Sequence, residues 1–154
     1  MVKTHDWGYL AASSHYVLAK EIKFSLQEGD MEDALEGLDE LIDSMSKIAI
    51  REMRSHLLII MIHILKWKHQ PQKKSWSWMK SIRHSRREIG EVQEETPSVT
   101  KEKIESVWEK TFQNAILDAA DEMKLDKQDK RKYNPEMLTW KEVFEKEYHL
   151  EDED

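Results

Sequence analysis

Apolar side chains at Tyr16, Leu18, Ile22 and Leu26 recur near the helical period, and Gly29-Asp30 follows as a stop. The spacing predicts a first helix over residues 15–26. From Met31 onward Leu35, Leu38, Ile42 and Met45, then Met53, Leu57, Ile60, Met61 and Ile64, keep steps of three and four, and no proline intervenes before Pro71. One long helix is expected, or two nearly collinear ones broken near residues 44–46. Residues 57–65 are apolar on almost every side, so this part should be the central helix, surrounded by the others. Pro71 ends it, because the residue before a proline is pushed out of the α region. Ser75 or Ser77 can cap the next helix, which runs to about residue 95 with Trp78, Ile82, Ile89 and Val92 on one face. Trp76, Lys80, Arg83 and Arg87 fall on the opposite face; if the helix starts only at Ser77, Trp76 sits in the turn instead.

Thr96-Pro97-Ser98 opens another predicted helix, whose Ile104, Val107, Trp108, Phe112, Ala115, Ile116, Ala119 and Met123 form a clean apolar stripe. A charged connector over residues 126–132 leads to Thr139-Trp140-Lys141-Glu142, which has the spacing of a capping box before a short terminal helix. The chain therefore reads as an all-α, single-domain bundle of about five helices around a long central one, spanning residues 1–150, with 151–154 as a frayed acidic tail.

Composition narrows the chemistry. Four glycines and three prolines in 154 residues agree with long helices. The absence of cysteine excludes disulfides, thiolate metal sites and thiol catalysis, and fits a reducing compartment. The beginning of the chain shows no export signal, and the longest apolar run is far short of the roughly 20 residues that cross a bilayer. A cytoplasmic protein with no membrane partner is the expectation. The net charge is −7, yet residues 66–87 hold eight Lys or Arg and no acid, which leaves the rest of the chain near −15. Such a chain is dipolar.

Three groups of residues invite a functional reading. The first is the basic, aromatic face of Trp76, Lys80, Arg83 and Arg87, with Lys73 and Lys74 beside it, which offers charge and a ring to an anionic partner. Its plainer reading is a solvated face, or one neutralised by the chain's own acids. The second is the corner of Trp67, Gln70, Pro71, Ser77 and Trp78, where large rings suit sealing a helix–turn–helix better than holding a ligand. The third is Glu52, His56 and His63 on one stripe of the central helix; bundles build metal sites from such inward groups, but the recurring unit is Glu-x-x-His from two helices, whereas here the spacing is Glu52-x-x-x-His56 with no second copy, and a hydrogen-bonded buried histidine is the commoner outcome. Glu40 with Asp43, and Asp118 with Glu122, pair by spacing, but acids are abundant enough for that to arise by chance. No phosphate-binding glycine loop, HExxH or nucleophile elbow is present, so no catalytic residue and no cofactor is expected.

His63-Ile64-Leu65-Lys66-Trp67, then Gln70-Pro71, then Ser77-Trp78 with Ile82, Arg86, Glu88 and Ile89, resembles the bacterial family called domain of unknown function 29. The resemblance covers residues 30–145 and implies an all-helical fold of a kind common in cyanobacteria, with no established activity. Two departures stand out: Glu40-Leu41 replaces a Glu-Glu pair, and Glu136-Met137-Leu138 replaces a Cys-Pro-aromatic element. The reading that follows is a non-catalytic interaction protein that sets its basic face against an acidic protein partner or its own second copy. The alternative is a nucleic-acid-binding protein, with or without metal-dependent nuclease activity.

Overall fold

In the computed structural model, residues 5–150 are described; the acidic run expected to fray lies outside them. Among the described residues seven α-helices, a 3-10 turn and a π turn make an all-α bundle: α1 Trp7–Ser13, α2 His15–Gln27, α3 Met31–His69, α4 Trp76–Glu95, α5 Lys101–Ser106, α6 Trp108–Glu122 and α7 Lys127–Lys132. The chain divides into two compact units, one ending at Ala49 and the other starting at Ile50. Helix α3 contributes to each.

The first unit begins with a helix that periodicity does not reveal, since α1 has only seven residues and includes Gly8. Its ends are set by side chains. The Asp6 carboxylate accepts the Tyr9 N–H at 3.1 Å, and Ser14 ends α1 and caps α2 by accepting the Val17 N–H at 3.2 Å. Trp7, Leu18, Ile22 and Ala34 form the buried centre. Asp33 then gathers the polar groups beneath it, taking hydrogen bonds from the Trp7 indole at 3.0 Å, the Ser25 hydroxyl at 2.9 Å and the His5 ring at 2.7 Å. The other His5 nitrogen meets Glu21 at 3.0 Å. Burial opposes a charge on His5, but the two carboxylates outweigh it and raise its pKa.

Helix α3 is continuous over 39 residues, so the serines at 44 and 46 do not break it. Asp30 starts it by accepting the Asp33 N–H at 3.0 Å. In the second unit α3 buries Met53, Leu57, Ile60, Met61, Ile64 and Leu65, as its all-round apolar character requires. Helix α4 runs antiparallel to it: Lys66 lies over the Trp78 ring, whereas His56, ten residues earlier on α3, faces His84, six later on α4. Ser75 is the cap of α4, accepting the Trp78 N–H at 3.3 Å, and Met79, Ile82, Ile89 and Val92 point inward.

The apolar stripe after Thr96 is two helices, not one. Thr100 caps α5, and the Ser106 hydroxyl donates to the Lys103 carbonyl at 2.5 Å, the acceptor that a continuous helix would offer to the Val107 N–H. That N–H bonds to Ile104 instead, at 3.2 Å, and the chain restarts at Trp108. The charged stretch expected as a connector is helix α7, capped by Asp126. Thr139 and Glu142 form the reciprocal capping box at 3.1 Å in each direction, and Lys141–Glu145 then winds as a π turn.

Candidate functional site

The cations of residues 66–87 separate into two groups once their neighbours are known. Lys66 pairs with Glu122 at 3.1 Å, Lys68 pairs with Glu142, Lys74 stands over the Trp67 ring at 4.9 Å, and Arg86 is spent on the backbone. Its Nε donates to the Val143 carbonyl at 2.7 Å, and its Nη2 to those of Lys146 at 2.7 Å and Glu142 at 3.2 Å. These four hold the fold. Among the described residues Lys73, Lys80, Arg83 and Arg87 have no ion-pair partner.

Three of those four share the outer face of α4 with Trp76, whose ring is 53% exposed at the first helical position. Lys80, Arg83 and Arg87 line a groove of about 940 Å³ together with His84, Phe144 and Glu147. The distance from Trp76 to Arg87 along the helix is about 16 Å at 1.5 Å per residue. The groove is therefore short, cationic and open, with one acid at its border.

The tryptophans of the corner part company. Trp67 is buried against Tyr148, edge to face at 5.5 Å, while Trp78 is half-buried beneath Lys66 at 4.8 Å. Gln70 is half-buried at the start of the 3-10 turn Pro71–Lys73, and Ser77 is exposed. Each ring of the corner thus carries a lysine, Lys66 over Trp78 and Lys74 over Trp67, contacts that the spacing of the tryptophans alone does not reveal.

On the stripe read from the sequence as Glu52, His56 and His63, the last residue goes its own way. The His63 Nδ1–H donates to the Ile59 carbonyl at 2.8 Å, and burial lowers the pKa of the ring. Glu52 and His56 meet Glu88 of α4 instead, with one ligand atom from each within 4.8 Å of the others. Glu88, which enters the sequence reading only as part of the family pattern, is not joined there to Glu52 and His56 because spacing rules compare positions within one helix. A second cavity, of about 520 Å³, is lined by Leu65, His69, Tyr133 and Pro135; the Tyr133 hydroxyl is buried without a hydrogen-bond partner among the described residues, and burial pushes its pKa up to about 12.

The profile of the family described as "Domain of unknown function DUF29" matches residues 18–149, and the chain belongs to that family. No curated protein and no solved structure matches it.

Proposed function

From membership of a family without an assigned activity, we propose that this protein is a non-catalytic interaction module whose α4 groove grips an acidic protein segment. The observation that carries this reading is the set of Lys80, Arg83 and Arg87, which have no ion-pair partner among the described residues of a chain of net charge −7. A chain with this surplus of carboxylates has acids enough to neutralise those cations. Their neighbours Lys66 and Lys68 are neutralised in that way.

Two features favour a protein over a nucleic acid. A face about 16 Å long spans few phosphates, and the negative remainder of the chain opposes a long polyanion. The front of α3 also exposes Met31, Leu35, Leu38, Ile42, Met45 and Ile48 at steps of three and four, an apolar stripe that suits a helix and not a phosphate backbone. Residues 31–46 of the same helix also carry six acids and no base, five of them besides the inward-turned Asp33. A second copy of the chain therefore offers the kind of acidic surface that the α4 groove would accept.

The test compares a glutamate-rich peptide with a single-stranded oligonucleotide of equal length, each titrated against the full chain. The peptide should bind at low salt, and Lys80→Glu with Arg83→Glu should weaken it by more than about tenfold without loss of helicity. Tighter binding of the oligonucleotide, with a steep salt dependence, would transfer the reading to nucleic-acid recognition.

A further inference from the structure

We propose that Glu52, His56 and Glu88 bind a divalent first-row transition metal in the second unit. Glu52 and His56 stand four residues apart, and so one above the other on α3, and Glu88 approaches them from the antiparallel α4. One ligand atom from each lies within 4.8 Å of the other two. Donors on one metal at 2.0–2.2 Å from it are about 3 to 4.3 Å apart, so small side-chain rotations close the site.

The second observation is at His56. Its Nδ1 is buried and has no hydrogen-bond partner among the described residues. Buried imidazole nitrogens are normally satisfied, so this histidine has a nitrogen left open to a ligand. Beside it the His84 ring stands edge-on at 6.2 Å, with its Nε2 at 3.9 Å from Glu88. A second nitrogen donor is therefore one rotation away. His84 also lines the basic groove, so the metal would lie next to that surface.

The donor set selects the ion. Two carboxylates balance a charge of +2, and imidazole in place of further oxygens favours Zn²⁺, Mn²⁺ or Fe²⁺ over Ca²⁺ and Mg²⁺; the absence of sulfur disfavours Cu⁺. Zn²⁺ stands higher than Mn²⁺ or Fe²⁺ in the affinity order, and it is the probe to use. Three protein donors leave room for water or an exogenous ligand on the ion.

The full chain, stripped with chelator, should take up one Zn²⁺ in native mass spectrometry and calorimetry, with no competition from equal Mg²⁺. Glu88→Gln and Glu52→Gln keep the side-chain shape and should each weaken binding by more than about tenfold. His63→Gln should leave the affinity unchanged. In the unaltered chain, Co²⁺ should shift the His56 imidazole resonances and spare those of His69, which keeps the test decisive if a variant unfolds. No stoichiometric Zn²⁺, retention of full affinity by both glutamine variants, or Co²⁺ shifts centred on another histidine would overturn the site.

Discussion

Gly37 shows how one position can decide a packing distance. It lies on α3 in the first unit, and a methyl group there would meet Ile22 Cγ1 at 2.7 Å and the Trp7 ring at 3.0 Å. In an exposed helix Gly→Ala gains about 1 kcal/mol, because glycine has more backbone freedom to lose. Here the ring of Trp7 cannot yield easily, since its indole N–H is held by Asp33. Overpacking of this kind costs about 1 to 3 kcal/mol, so Gly37→Ala should lower the melting temperature by a few degrees, where propensity alone would raise it. Thermal unfolding followed by circular dichroism decides the sign. A higher melting temperature would mean that Trp7 is not fixed as described.

Elements are held in place by features that the sequence exposes to different degrees. The capping box at Thr139 and Glu142 and the cap at Ser75 are legible because each lies within three residues of its partner. The break at Val107 was hidden, because it depends on a serine that competes for a single carbonyl inside a continuous apolar stripe. Helices α1 and α7 were hidden because seven and six residues carry too few periods to register. The Glu52–His56–Glu88 cluster was half visible: the α3 pair is a matter of spacing, while Glu88 arrives through a chain reversal. Arg86 belongs with the hidden features, since it bonds three carbonyls 56 to 60 residues away. Lysine cannot reproduce that planar fork, so Arg86→Lys should cost about 1.5 to 3 kcal/mol and should speed proteolysis around residues 140–150 before it affects α3. Limited digestion read by mass spectrometry tests this, and uniform cleavage along the chain would show that Arg86 does not act as a local latch.

At the scale of the whole molecule, two surfaces could draw copies together, and salt distinguishes them. Association of the α4 groove with the acids of α3 is electrostatic, and added salt screens it over a Debye length of about 10 Å at 0.1 M. Association through Met31, Leu35, Leu38, Ile42, Met45 and Ile48 is apolar, and salt leaves it intact or strengthens it. Leu35 and Ile42 are 55% and 60% exposed, so covering both is worth about 2 to 4 kcal/mol per copy. That is enough to move a dissociation constant by more than tenfold. Sedimentation at 50 mM and 500 mM salt should therefore give one pattern if the groove is responsible: dimer at low salt, monomer at high salt, with Lys80→Glu and Arg83→Glu abolishing the dimer and Leu35→Glu with Ile42→Glu sparing it. A dimer that persists in high salt and fails only in the Leu35 and Ile42 variant would place self-association on the apolar stripe. The groove would then be free for a different acidic partner, because both surfaces cannot be satisfied by a contact that only one set of substitutions removes.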